Sequence, residues 1–160
     1  MIALAVHLGT TDARFAADAV QTRIPVGVHT LCDLLMSDPP LPEELTNAIG
    51  WFQDHLEDVT REVPAADLAD RVEVAGPAVS ALAAVEVGGA ATFPFELTRE
   101  AAEDVFRTLV TEATTVRVHN PGLVATQAHT VLGAACAVVG LMRFLHLDTV
   151  WLMDTTEVAS

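Results

Sequence analysis

The feature that most constrains the fold is an apolar segment near the C-terminal end of the chain. Residues 131–142, VLGAACAVVGLM, contain no charged side chain. We expect a helix over about residues 125–146, and a helix that is apolar on all sides has to be surrounded by protein. The apolar run is shorter than the roughly 20 residues that a membrane-spanning helix needs. The segment therefore predicts a buried central helix of a globular domain.

The rest of the chain supplies strands and amphipathic helices that could surround this segment. An amphipathic helix is predicted over residues 42–62, because Pro42 suits a first helical position and apolar residues recur at helical spacing. Strands are expected at residues 2–8, 13–20, 23–28, 71–76 and 149–153, and further helices at residues 30–36, 78–86 and 98–115. This order predicts an α/β fold, with a mixed sheet of five strands and helices packed on it.

Length and composition indicate one domain. The 160 residues contain no repeat, low-complexity tract or flexible linker, so we assign residues 1–155 to a single lobe and residues 156–160 to a C-terminal tail. The first residues, MIALAV, lack the basic start of a signal peptide and are read as a strand. We therefore expect a soluble cytoplasmic protein. The absence of Lys beside abundant Ala and Arg is typical of a bacterium with a GC-rich genome.

The net charge excludes several classes of partner. The chain has 22 acidic residues against eight arginines, which gives a formal net charge of −14. Such a surface repels nucleic acid and anionic membranes, because there is no cluster of basic side chains to replace their counterions. The same long-range field repels free polyphosphate. Any phosphate site must therefore be local, and backbone N–H groups or a metal ion would have to form it.

Two glycine turns are candidate phosphate sites. Gly9, Thr10 and Thr11 lie between the first two strands and are followed by Asp12, and Gly76 ends the fourth strand. A glycine turn with hydroxyl groups can approach an anion closely, and an ordinary hairpin turn with an exposed acid is the alternative. Gly76 could likewise approach a ligand or only permit close packing of a strand and a helix. The residues by themselves leave both alternatives open.

Thiol and metal chemistry are not predicted. Cys32 and Cys136 both lie in apolar runs, where a cysteine is typically a small buried residue. The six histidines include no pair at helical metal-ligand spacing, and His119 and His129 are ten residues apart. The expectation is no metal site and no cofactor, except Mg²⁺ if the chain hydrolyses phosphoric anhydrides.

Four longer stretches carry a resemblance to a known family. They are residues 24–45, which include the specific sequence SDPPLPEEL, and residues 72–85, 97–109 and 120–150. Together they resemble the second, C-terminal lobe of the Ppx/GppA exopolyphosphatases and guanosine pentaphosphatases. The resemblance implies a ribonuclease-H-like lobe of the actin-like ATPase superfamily, with a phosphate site between the two glycine turns. It also implies that the other lobe of the enzyme, which supplies part of that site, is missing.

The chain departs from the family at the first turn. The family sequence Asp-x-Gly-Gly-Gly-Ser-Thr-Glu corresponds to residues 5–12. Ala5 replaces the leading aspartate and cannot hold a metal ion or its water ligands. His7 and Leu8 replace two of the three glycines, and we expect their side chains to occupy the position of the phosphate.

Three further departures concern the rest of the family site. Gly76-Pro77 replaces the Gly-Thr of the second turn, which removes a hydroxyl group and a backbone donor. Phe93-Pro94 replaces a His-Gly pair, and residues 127–129, Gln-Ala-His, replace Arg-Ala-Asp in a late helix. Phosphoryl transfer depends on positioning and on charge stabilisation. The family residues that are replaced here are of the types that supply both.

The sequence therefore predicts a stand-alone, catalytically inactive lobe that acts as a binding, regulatory or protein-interaction module. One alternative is a phosphatase that a partner chain completes, acting on polyphosphate or on a nucleotide polyphosphate. Another is a sensor that binds a nucleotide or alarmone without turnover. In each case we expect a homodimer, or another protein, to cover the surface that the missing lobe leaves. The candidate phosphate-binding residues are Gly9, Thr10, Thr11, Asp12 and Gly76.

Overall fold

A computed structural model describes residues 1–154, and the predicted tail at residues 156–160 lies outside them. One mixed sheet organises the chain. Its strands are β1 (Ala3–Leu8), β2 (Ala13–Ala17), β3 (Val20–Ile24), β4 (Arg71–Ala75), β5 (Phe95–Thr98) and β6 (Thr149–Leu152). The spatial order is β3-β2-β1-β4-β6-β5. Strands β1, β4 and β6 run parallel, whereas β2, β3 and β5 pair antiparallel with their neighbours.

The sheet has six strands, so the prediction of five strands was wrong. The additional strand β5 has four residues and pairs with β6 alone, Leu97 lying opposite Val150. Leu97 is its one buried residue. A four-residue edge strand with one buried position is too short for its periodicity to be detected in the sequence, and its partner strand determines its conformation.

The third strand begins earlier than predicted, at Val20 and not at residue 23. Asp18 and Ala19 have positive φ angles of 50° and 66° and form a tight turn between β2 and β3. Turns of this kind usually contain Gly or Asn. The sequence around Ala19 lacks both signals. The predicted strand therefore extended through the turn, and the following strand was placed too late.

The helices are α1 (Val28–Cys32), α2 (Pro42–Glu62), α3 (Val79–Val87), α4 (Arg99–Thr111), α5 (Thr114–Arg117) and α6 (Thr130–Phe144). The predicted bounds of α2 are confirmed. Thr98 caps α4, because its side-chain oxygen accepts a hydrogen bond from the Ala101 N–H at 3.2 Å. The apolar segment is shorter as an α-helix than predicted, since Ala125–Gln127 form a separate 3₁₀ turn before α6.

The central helix α6 is the core of the domain, as predicted. Residues 131–142 are all buried, and α1, α2, α3 and α4 pack around this helix. Helices cover only one face of the sheet: Leu4, Val6 and Leu8 are buried, whereas Ala3 and Ala5 are exposed on the opposite face. Among residues 1–154, no helix has the length and apolar character to cross a bilayer.

The SDPPLPEEL stretch, the most specific part of the family resemblance, stabilises the scaffold. The Glu44 carboxylate accepts hydrogen bonds from the Leu41, Met36 and Ser37 N–H groups at 2.9, 3.2 and 3.2 Å. These bonds hold the pKa of Glu44 below its ordinary value. Asp38 accepts a hydrogen bond from the Thr114 N–H at 2.8 Å and so connects this loop to α5. The SDPPLPEEL stretch therefore holds the loop between α1 and α2 against the start of α2 and against α5.

Candidate functional site: a cleft between two turns

Strands β1 and β4 are parallel neighbours, so the turns that follow them meet at one edge of the sheet. Between these turns lies a cleft with a volume of about 140 Å³. Its lining residues come from both turns, from the start of α1, from the segment that precedes α6 and from the first residue of α6. They are Gly9, Thr10, Val28, His29, Pro77, Ala78, Gln127 and Thr130. The cleft is therefore in the place where the family resemblance implies a phosphate site.

The first turn is held by hydrogen bonds within the scaffold. The Gly9 N–H donates to the Asp12 carbonyl at 2.8 Å. The carbonyl groups of Gly9 and Thr10 accept hydrogen bonds from the Val28 and His29 N–H groups, at 2.9 and 2.8 Å. The first N–H groups of α1 are thus bonded to the turn. A ligand in the cleft would have to bind through other donors.

Gly27 explains how α1 and the first turn come so close. A β-carbon at Gly27 would lie 2.5 Å from the carbonyl carbon of Thr10 and 2.5 Å from the Thr11 nitrogen. No side chain fits there without displacing the turn. Gly27 was predicted to lie in a strand. The turn that it contacts is distant along the chain, so no local pattern indicates the contact.

Asp12 does not line the cleft. Its carboxylate pairs with Arg23 on β3, Oδ2 lying 2.5 Å from the guanidinium Nε. Thr11 is exposed and also lies outside the lining. The structure therefore places two of the predicted phosphate-binding residues, Gly9 and Thr10, at the cleft, and it turns the acid of the motif toward the β2–β3 hairpin.

Gly76 serves the packing of the two turns against each other. Its φ angle is +153°, and a β-carbon there would lie 2.1 Å from the carbonyl oxygen of Leu8. The position thus needs glycine for its backbone conformation and for the approach of β1. The contact that requires glycine here is with strand β1 and not with a helix.

His7 and Leu8 do not occupy the space between the turns, and that expectation was wrong. Both residues belong to β1, which continues through Leu8. Because strand side chains alternate, Leu8 is buried in the core with 1% exposure, and His7 lines a cavity on the open face of the sheet. The side chains of His7 and Leu8 therefore leave the cleft between the turns open.

Three polar residues of the cleft lining were not predicted as site residues. Gln127, noted only as the residue that replaces a family arginine, donates a hydrogen bond from Nε2 to the Pro77 carbonyl at 3.0 Å. This bond connects the second turn to the segment before α6. His29 and Thr130 complete the polar lining. Neither lies in a motif, and only the contact between α1 and α6 brings them together.

The chemistry of the described residues is limited at this site. The cleft lining contains one imidazole, one amide and two hydroxyl groups, and no acidic side chain. Within residues 1–154, no group of three His, Cys, Asp or Glu side chains has a geometry suited to a metal ion. Burial raises the pKa of the Cys32 thiol to about 11 and that of Cys136 to about 12. Both thiols are therefore protonated at neutral pH and are poor nucleophiles.

Comparison by sequence with family models and with curated proteins finds no match. Solved structures share the fold. An exopolyphosphatase-like protein superposes over 96% of this chain with a TM-score of 0.88 at 15% identity. A Ppx/GppA phosphatase of Aquifex aeolicus does so with a TM-score of 0.81 at 17% identity, and an exopolyphosphatase of Cytophaga hutchinsonii with a TM-score of 0.73 at 14% identity. The chain covers 55%, 53% and 53% of those structures, respectively.

The fold is that of an α/β domain with one mixed sheet and helices packed on it, and these solved structures share it. More specifically, the chain has the fold of one lobe of the Ppx/GppA phosphatases and spans about half the length of the structures that it matches. The resemblance noted from the sequence is confirmed at the level of the fold.

Proposed function

We propose that the chain is a catalytically inactive Ppx/GppA-like lobe that acts as a binding or regulatory module. The observation that carries the proposal is the position of Asp12. The acid of the phosphate-turn motif is paired with Arg23 at 2.5 Å and does not line the cleft. Phosphoryl transfer needs charge stabilisation and a group that positions the nucleophile. The cleft lining, with no acidic side chain and no arginine, supplies neither.

The size of the cleft supports the same proposal. Pockets that enclose a small molecule have volumes of roughly 300–1000 Å³, and the cleft has about 140 Å³. It can enclose a phosphate-sized group, and the rest of a nucleotide would have to lie outside it. A larger ligand would need a second surface, which another protein or a second copy of the chain would have to provide.

The test for inactivity is phosphate release from ATP, guanosine polyphosphates and short polyphosphate with Mg²⁺. We expect the purified protein to release no phosphate above the rate of the Asp12→Ala variant. Metal-dependent release that is lost in Asp12→Ala would overturn the proposal, because it would show that the Asp12–Arg23 pair opens during turnover. That result would favour a phosphatase that a partner chain completes.

A sensor without turnover is the second candidate, and the polar cleft lining favours it. Thr10, Thr130, His29 and Gln127 offer hydroxyl, imidazole and amide groups to a phosphate group. A ligand at about 100 times its Kd stabilises a fold by roughly 2.7 kcal/mol. We therefore expect the same phosphate ligands to raise the melting temperature, by about 5–11 °C for a domain of this size.

The control for this prediction is the neighbouring hydroxyl group. Thr10 lines the cleft and Thr11 does not, so Thr10→Val is expected to reduce the ligand-induced shift and Thr11→Val to leave it unchanged. If no ligand changes the melting temperature of the unaltered protein, the sensor is excluded and the protein-interaction module remains. Equal effects of the two substitutions would place the ligand elsewhere.

We also propose that the chain binds another protein, and we expect this partner to be a second copy of the chain. Several large apolar side chains are exposed: Met36 by 86%, Leu68 by 67% and Val124 by 58%. Val124 lies three residues before Gln127 of the cleft. Multi-angle light scattering at micromolar concentration is expected to give the mass of a dimer. The mass of a monomer would exclude self-association and leave a different protein as the partner.

A further inference from the structure

A second cavity lies on the open face of the sheet, away from the cleft. Its volume is about 420 Å³, and none of its lining residues lines the cleft. The small side chains of Ala5, Ala16 and Ala75 leave the space open. Polar side chains from four strands also line it: His7, Arg14, Gln21 and Glu73. The volume is in the range of roughly 300–1000 Å³ that is typical of small-molecule sites.

Arg14 and His7 lie directly opposite each other in the pairing of β1 and β2. The guanidinium of Arg14 contacts Nδ1 of His7 at 3.3 Å. Since a guanidinium can only donate, Nδ1 of His7 accepts, and the proton of the neutral imidazole is then on Nε2. Burial, with the Arg14 charge as a second cause, lowers the pKa of His7. The pair therefore presents a cation and a second N–H donor side by side.

The arginines near this cavity differ in whether a carboxylate offsets their charge. Arg23 is paired with Asp12, and Arg71 is paired with Glu73 at 2.8 Å while it stacks on Trp151. Within residues 1–154, Arg14 has no carboxylate within ion-pair distance. An arginine that forms no ion pair with residues 1–154, in a chain with a net charge of −14, is a local exception to the acidic surface.

We propose that this cavity binds a small molecule through an oxyanion group, a carboxylate or a phosphate, held by Arg14 and His7. The planar guanidinium donates to two oxygen atoms at once, which is the geometry that oxyanions prefer. Nε2 of His7 and the amide of Gln21 supply further donors. The alanine side chains leave room for an apolar part of the ligand. Arg71 offsets the charge of Glu73, which would otherwise oppose an anion.

The proposal is tested by nuclear magnetic resonance with two probes, inorganic phosphate and acetate, titrated separately at neutral pH and constant ionic strength. We expect a saturable shift of the His7 imidazole signals and of the Arg14 backbone amide with at least one probe. The probe whose signal shift saturates at the lower concentration is the preferred oxyanion. His55, on α2 and hydrogen-bonded to the Trp51 carbonyl, reports any general effect of salt and is expected not to change.

The matched variants are Arg14→Gln and Arg107→Gln. Both arginines are exposed, but Arg107 lies on α4 and pairs with Asp104. Arg14→Gln is expected to abolish the saturable shift at His7, and Arg107→Gln to preserve it. The proposal is wrong if neither probe gives a saturable shift at His7, or if the shift persists unchanged in Arg14→Gln. Melting temperatures of both variants are expected to match that of the unaltered protein, which keeps the comparison free of unfolding.

Discussion

Arg117→Met is expected to lower the free energy of unfolding by about 3–5 kcal/mol, because three backbone carbonyl groups lose a charged hydrogen-bond donor. Arg117 has 0% exposure. Its Nε donates to the Leu109 carbonyl and its Nη1 to the Ala128 carbonyl, both at 2.9 Å, and its Nη2 donates to the Glu112 carbonyl. Methionine has a similar length but donates no hydrogen bond. Three carbonyl groups would therefore remain buried without this partner.

The structural reason for the large effect is the position of those carbonyl groups. Leu109 belongs to the last turn of α4 and Glu112 is the residue after it, whereas Ala128 precedes α6. The end of a helix leaves carbonyl groups without intrahelical partners, and Arg117 satisfies several of them at once. Its Nη2 also lies 3.8 Å from the Asp38 carboxylate. One side chain thus connects α4, α6 and the loop before α2.

Urea unfolding, followed by circular dichroism, measures this effect, with Arg107→Met as the control. Arg107 forms an exposed pair with Asp104, and its substitution is expected to change stability by no more than about 0.5 kcal/mol. Typical domains have a total stability of about 5–15 kcal/mol, so Arg117→Met could leave a large fraction of molecules unfolded. A loss below about 1 kcal/mol would contradict the network argument.

Gly133→Ala is expected to destabilise the protein by about 1–3 kcal/mol, the typical cost of overpacking. Gly133 lies on α6 where α1 crosses it. A β-carbon there would be 2.3 Å from the carbonyl oxygen of Val28 and 2.9 Å from the Cys32 sulfur. Backbone atoms of α1 would have to move, and α1 carries His29 of the cleft lining. The substitution therefore affects both the core and the site.

Gly50→Ala is the matched control, with an expected effect of the opposite sign. Gly50 is also inside a helix, α2, but no atom lies within 4 Å of its added β-carbon. Alanine in a helix interior is favoured over glycine by roughly 0.5–1 kcal/mol, so this variant is expected to unfold at a higher urea concentration. If Gly133→Ala were as stable as the unaltered protein, α1 would have to be free to shift away from α6.

Local signals accounted for the elements that the sequence predicted well. Helix α2 begins at Pro42 and ends at Glu62 as expected, because its proline, its acidic first turn and its apolar spacing all act within the helix itself. The unbroken apolar run likewise identified α6 as the central helix. The hairpin between β1 and β2 followed from Gly9 between two strand-like runs. These are properties that neighbouring residues determine together.

Contacts between distant residues decided the rest. The edge strand β5 exists through its pairing with β6, and the turn at Asp18 and Ala19 has no glycine to indicate it. Arg117 is a basic residue in a polar context, and its burial follows from carbonyl groups that three different segments bring to it. No periodicity or motif records such contacts, because the interacting residues have no fixed spacing along the chain.

The candidate site divides in the same way. The sequence by itself indicated the two glycine turns, a resemblance to a family whose fold the chain shares, and Gly9 and Thr10 as candidate phosphate-binding residues. Only the tertiary structure showed that Asp12 pairs with Arg23, that His7 faces the opposite side of the sheet, and that Gln127 connects to Pro77. The physical reason is that a motif determines which residues are adjacent along the chain but not where their side chains point. Side-chain orientation is determined by the alternation of strand residues and by packing between elements.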